Sequence, residues 1–274
     1  MITKHSEEQE RVVLDALHAG KTGREAARLA DLSPSSVSNI VRKHGIKTKA
    51  GRPPWCKVDH TVFDTLTEES EYWLGFLFAD GCVTTGYGGT PQIILCLSAR
   101  DRVHVEKFKI FCKSTHKLIN KKYRSKAPGA IRASIRCAAT FGFRSEQVTA
   151  ALRRYGMVAK KGIDRRPSLE IQDSVHFWRG CIDGDGTLGI NLDKRRGYRA
   201  PYLILCGHMP IMLSYQQFLR LHDIKTNINK TSSGIYQIRI ANSLALKMIR
   251  RLYGDAKVSL DRKREIANTI LAMF

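Results

Sequence analysis

The sequence has no apolar run long enough to cross a bilayer. The longest, YWLGFLFA at 72–79, falls far short of the ~20 residues that a spanning helix needs. The opening stretch, MITKHSEEQE, lacks an apolar core and so does not read as a secretory signal. Cysteine is sparse: residues 56, 82, 96, 112, 137, 181 and 206 are never spaced CxxC, which argues against a zinc ribbon. Their odd number argues against a disulfide framework and fits a reducing compartment. Acidic residues are scarce, with 25 Asp and Glu against 46 Lys and Arg, a net charge of +21. An excess of that size points to a polyanion, by default nucleic acid. With 43% apolar residues and 8% aromatics the chain is expected to fold. It is expected to be cytoplasmic, nucleoid-associated when bound to DNA, and not secreted.

Residues 1–46 read as a separate all-α block. Ser6 to Gln9 (S-x-x-Q) and Thr22 to Glu25 (T-x-x-E) are capping boxes that open two helices, and Gly20 closes the first. Ser33 caps a third, with Pro34 at its first position, where the missing N–H costs nothing. Val37, Ile40 and Val41 share the face that holds it on the other two. Three short helices with a tight turn between the last two make a helix-turn-helix. The third helix then presents Ser35, Ser36, Ser38, Asn39, Arg42 and Lys43 to a major groove. A basic linker, 47–65, follows, and the Gly-Arg-Pro around Arg52 resembles a hook for a narrow AT-rich minor groove.

The remainder reads as a duplication. EYWLGFLFADGCV (71–83) and HFWRGCIDGDGTL (176–188) each lead into the same succession. An extended segment (92–98; 202–206) is followed by a helix (102–112; 210–222), a second extended segment (131–137; 235–240) and another helix (145–155; 243–253). Counted from Asp80 and Asp185, the second extended segments begin at +51 and +50, and Lys161 and Lys263 stand at +81 and +78. Such agreement predicts two similar subdomains, 66–168 and 169–274, related by pseudo-twofold symmetry.

Gly75 and Ala79 are four apart, as are Gly180 and Gly184, so on helices each pair clears one face of bulk. Two such faces can pack backbone to backbone, with Gly81 and Gly186 ending each helix in the left-handed conformation. Asp80 and Asp185 then stand together at the negative ends of two parallel helix dipoles. Each costs ~0.3–1 kcal/mol there, and the pair repels. A divalent cation with hard oxygen ligands resolves both conflicts, which predicts a Mg²⁺ site.

These segments resemble the nine-residue motif of the LAGLIDADG homing endonucleases. WLGFLFADG (73–81) and WRGCIDGDG (178–186) match it at the Gly, small, Asp and Gly positions. The first departs at the sixth position, where Phe78 replaces the acid that Asp183 retains. The resemblance covers residues 66–274 and is to the two-motif, single-chain form. It implies an α+β fold of two pseudo-symmetric αββαββα subdomains forming saddle-shaped antiparallel sheets, here preceded by the small all-α helix-turn-helix domain, in a monomer. It implies that Asp80 and Asp185 bind the metal, Mg²⁺ with Mn²⁺ substituting, assisted by the carbonyls of Ala79 and Gly184. It also implies a basic residue late in each half: Lys263, and Lys161 with Lys160 as its rival. Such a lysine stabilises charge on the scissile phosphate or tunes the attacking water. The implied activity is sequence-specific, metal-assisted hydrolysis of both strands of double-stranded DNA across the minor groove, leaving short 3′ overhangs.

DNA reading is expected from the sheets. Thr187, Gly189, Asn191 and Asp193 alternate with Leu188, Ile190 and Leu192, giving one polar face. Arg132, Ser134 and Arg136 share a face of their strand, as do Gln237 and Arg239; Arg and Gln are the side chains that read guanine and adenine. Lys121, Lys122, Arg124, Lys126 and the run Lys194, Arg195, Arg196 are placed in loops, suited to gripping phosphate. Two other readings stay open, a non-cleaving transcription regulator on this fold and an RNA maturase. The paired acids speak against the regulator, since a pure binder has no need of them.

Overall fold

The computed structural model describes residues 5–46, 56–85, 89–125, 134–157, 165–193 and 197–274. The chain divides into two compact units, Met1–Trp55 and Cys56–Phe274. The first contains α1 (Glu7–His18), α2 (Gly23–Leu29) and α3 (Pro34–Lys43). Both capping boxes close reciprocally, Ser6 with Gln9 and Thr22 with Glu25, and the Ser33 hydroxyl accepts from the Ser36 N–H ahead of Pro34. Val13, Ala16, Ala26, Ala27, Val37 and Ile40 form a core of their own. Its alanines let three short helices approach closely enough to bury it.

The second unit repeats one architecture. Its first half runs α4 (Glu68–Asp80), β1 (Gly81–Thr85), β2 (Pro91–Ser98), α5 (Arg102–Phe111), β3 (Ile119–Ser125), β4 (Ser134–Arg144) and α6 (Glu146–Arg154). The other half runs α7 (Val175–Asp185), β5 (Gly186–Asp193), β6 (Tyr198–Gly207), α8 (Met209–Leu221), β7 (Asn229–Lys230), β8 (Tyr236–Ala241) and α9 (Asn242–Tyr253), with α10 (Asp261–Met273) appended. Each half is αββαββα, and both antiparallel sheets share one strand order, β1-β2-β4-β3 and β5-β6-β8-β7. Even the register repeats: Gly81 opposes Leu95, and Gly186 opposes Leu205. The duplicated sequence is thus a duplicated fold. Ile93, Leu95 and Leu97 of β2, Leu203 and Leu205 of β6, and Ile238 and Ile240 of β8 turn inward to a core shared by both halves. The alternating positions Thr187, Asn191 and Arg239 are exposed on the opposite face.

Two expectations are corrected. Gly81 (φ −77°, ψ 152°) and Gly186 (φ −94°, ψ 171°) are extended, not left-handed. Each helix runs straight into a strand, so no left-handed cap intervenes. Glycine is required for space: a Cβ would lie 2.6 Å from the carbonyl oxygen of Leu77 or Ile182. Lys121, Lys122 and Arg124 lie in β3, not in a loop. That strand is an edge, where exposed charge deters pairing with another chain.

Candidate functional site

The two repeated helices meet along their small residues. A Cβ on Gly75 would lie 1.9 Å from the Phe177 carbonyl oxygen, and one on Gly180 2.1 Å from that of Tyr72. Farther along, a Cβ on Gly184 would lie 2.2 Å from the Ala79 Cβ and 3.4 Å from Asp80 Oδ2. Residue numbers rise together on both helices, so α4 and α7 are parallel and end side by side. Buried aromatic rings, among them Tyr72, Trp73, Phe76, Phe177 and Trp178, wedge the pair in place. Asp80, half-buried, and exposed Asp185 therefore arrive together at the carboxyl ends. Neither helix places a basic residue in its last turn to offset them.

Two buried cations close on this end of the pair. Lys263, 4% exposed on α10, donates to the carbonyls of Ile182 and Gly186, both at 2.6 Å. These carbonyls bracket the end of α7 that carries Asp185. Burial draws the Lys263 ammonium down to about 8, opposed by Asp183 and by Asp80 and Asp185. In the first half Arg165, also buried, donates to the Phe78 carbonyl at 2.6 Å and packs its guanidinium on the Phe78 ring. Its charge is disfavoured by burial and favoured by Cys82, Asp185 and Cys181. Ala79, Arg165 and Asp185 also line a cavity of about 230 Å³ whose other walls include Phe78, Leu205 and Met212.

Arg165 was not among the expected residues. The signal for it lies in Tyr155-Gly156 and Tyr253-Gly254, which follow the last common helix of each half. Ten residues beyond each tyrosine stand Arg165 and Lys263. Spacings measured from the distant Asp80 and Asp185 include every intervening difference in loop length.

Asp183, the acid kept at the sixth motif position, is fully buried and does not face the carboxylate pair's solvent side. Its carboxylate accepts from the hydroxyls of Tyr72 (2.8 Å) and Tyr253 (2.7 Å) and from the Leu260 N–H (2.6 Å). Burial raises its pKa against those hydrogen bonds. Leu260 is the N-cap of α10, so Asp183 anchors the helix that delivers Lys263. Arg179, at the second motif position, is likewise buried and bonded to Val258 O, Leu252 O and Glu68.

Other expected residues are dispersed. Asn191 and Arg239 are exposed and Gln237 half-buried on the helix-free face of the second sheet. In the first sheet that face carries Gln92 opposite Arg144, a pair missed in the sequence. On α3, Ser35, Ser38, Asn39, Arg42 and Lys43 are exposed and Ser36 is half-buried. Arg42 bonds Asn39 at 2.9 Å, and Lys43 turns back to Glu10 on α1 at 2.8 Å. Arg52, Arg132, Lys160, Lys161, Lys194, Arg195 and Arg196 lie outside the described residues, as do the side chains of Ser134, Arg136 and Asp193.

Among the described residues no three His, Cys, Asp or Glu side chains form a metal-binding group. The donors at hand are two carboxylates and neighbouring backbone carbonyls, all hard oxygens, a donor set that fits a hard divalent cation. No helix among the described residues is long and apolar enough to cross a membrane.

No protein-family model matches the chain, and no curated protein sequence does. Solved structures do match. The LAGLIDADG homing endonuclease I-GzeII in complex with its DNA target is 9% identical, with a TM-score of 0.50 over 76% of this chain and 91% of that one. The LAGLIDADG meganuclease I-AabMI bound to uncleaved DNA is 10% identical, with a TM-score of 0.51 over 76% and 90%. Meganuclease I-SmaMI bound to uncleavable DNA is 15% identical, with a TM-score of 0.50 over the same shares. The fold of this chain is that of the LAGLIDADG homing endonucleases.

Proposed function

We propose that the chain is a divalent-metal-dependent endonuclease that cuts both strands of a specific duplex DNA across the minor groove, leaving short 3′ overhangs. The observation that carries this reading is the meeting of Asp80 and Asp185 at adjoining helix ends. The arrangement opposes both helix dipoles and does nothing for stability. A divalent cation bound there, Mg²⁺ with Mn²⁺ as substitute, supplies Lewis-acid stabilisation of the attacking and leaving oxygens. Asp80 and Asp185 hold it, with the carbonyls of Ala79 and Gly184 beside them.

Lys263 and Arg165 hold fixed positive charge on either side of the pair, one from each half, where charge on a scissile phosphate develops. Arg165 takes this role in the first half ahead of Lys161, because its guanidinium reaches the motif helix. DNA lies on the helix-free faces of the sheets, read by Asn191, Asp193, Gln237 and Arg239 and, in the first half, by Arg132, Ser134 and Arg136. Lys194, Arg195 and Arg196 grip phosphate. The α3 residues Ser35, Ser36, Ser38, Asn39, Arg42 and Lys43 add a major-groove contact through the 1–46 unit, and Arg52 in the linker adds one in the minor groove. The fold neighbours described above, crystallised on DNA, support a DNA substrate.

Selection of cleaved sequences from a randomised duplex library in Mg²⁺ tests the reading. One family of sequences cut on both strands is expected. Asp185→Asn should slow cleavage roughly 10²- to 10³-fold, whereas Lys263→Ala and Arg165→Ala should each slow one strand more than the other and accumulate nicked product. Tight sequence-specific binding with no cutting in Mg²⁺ or Mn²⁺ would instead make the chain a regulator built on this fold.

A further inference from the structure

We infer that Arg239 reads a guanine and that Tyr202, seated in the space left by Gly189, holds it ready to do so. The inference rests on the reading that the helix-free face of the second sheet receives DNA. Gly189 on β5 pairs directly with Tyr202 on β6. A Cβ on Gly189 would lie 2.8 Å from the Tyr202 hydroxyl oxygen, 3.0 Å from Cζ and 3.1 Å from Cε1. The ring therefore lies over the glycine backbone, and any side chain at 189 would push its tip away.

Arg239 on β8 pairs with Ile204, which makes it a diagonal neighbour of Tyr202 on the same face. Its guanidinium carbon stands 4.9 Å from the Tyr202 ring centroid. Several long basic side chains in this unit meet a carboxylate: Lys107 meets Asp261, Lys113 meets Asp59, Arg154 meets Glu170 and Lys247 meets Asp223. Arg239 has an aromatic ring as its partner instead. A flat aromatic partner fixes the plane of the guanidinium and leaves its N–H fork pointing from the edge. A fork held in plane suits O6 and N7 of guanine, which need two parallel donors. Gripping a phosphate makes no such demand, since a point charge serves. Ordering Arg239 before DNA arrives also lowers the entropy lost on binding.

Binding-site selection with the full chain, on a randomised duplex library in EDTA, separates this inference from cleavage. The wild type should require guanine at one base-pair position. Arg239→Ala should cut that preference about 10- to 100-fold and leave other positions unchanged. Arg239→Lys should lose most of it, having no planar fork. Tyr202→Leu should relax the same position only, and Tyr202→Phe should keep it. Thermal unfolding of each variant checks the fold; if Tyr202→Leu is unstable, Gly189→Ala, which displaces the ring, should give the same relaxed position. A uniform loss of affinity in Arg239→Ala, with the salt dependence reduced by about one phosphate contact, would overturn the inference. So would an unchanged guanine preference in both Tyr202→Leu and Gly189→Ala. If the wild type enriches no sequence at all, the reading of the sheet face falls, and this inference with it.

Discussion

The Tyr72 hydroxyl stands between two buried partners, donating to Asp183 at 2.8 Å and therefore accepting from Nε2 of His104 at 2.9 Å. His104 is enclosed by the rings of Phe76 and Trp73, and burial, helped by nearby Lys107, pushes its pKa from 6.5 down to about 3. An unfolded chain thus binds a proton that the folded chain refuses between those two values. Stability from this residue is full above pH 6.5 and is lost as pH falls toward 3, by about 1.4 kcal/mol per unit. In urea unfolding from pH 7 to pH 4, His104→Phe should show a shallower acid loss than the wild type. Equal slopes would mean that the imidazole is not held neutral.

The α4–α7 pair makes a sharper demand on sequence than either helix alone. All three atoms nearest to a Cβ on Gly180 are backbone, so no rotamer change relieves the clash. Gly180→Ala should cost about 3 kcal/mol or more in thermal unfolding and should impair cutting of both strands, because both carboxylates move. Gly23→Ala on α2, where the nearest atom is 3.9 Å away, should stay within about 0.5 kcal/mol. Elements with local signals were legible in the sequence. Capping boxes, the Pro34 start and the repeated motif each fix a helix through atoms a few residues apart. Asp80 and Asp185 were legible for the same reason, since Gly-x-x-x-small spacing dictates which faces touch. β3 was not, because INKKYRS has no apolar alternation; pairing with β4 makes it a strand. The extended conformation of Gly81 and Gly186 was not legible, because a glycine after a helix serves equally as a turn or as room for a close carbonyl. Arg165 depends on where a loop returns to the motif helix, which spacing from Asp80 does not encode.

At the scale of the molecule, most of the excess charge lies in the longer part of the chain: residues 1–54 hold ten basic and six acidic side chains, and the rest 36 and 19. The second unit therefore carries most of the net positive charge, and the first unit has a core of its own. Removing residues 1–55 should leave the second unit folded and weaken DNA binding at least tenfold through lost avidity. Single-turnover cleavage at saturating enzyme should be unchanged, and its loss would place part of the chemistry in the first unit. The duplicated halves share one core and one chain, so the carboxylate pair assembles at any protein concentration, unlike the equivalent site of a dimer. Covalent linkage also releases each half from copying the other. Phe78 against Asp183, and Arg165 against Lys263, show that the release has been used. Exact twofold symmetry in a protein asks for a palindrome in its DNA; a chain whose halves have drifted apart is free to claim a target that reads differently in each direction.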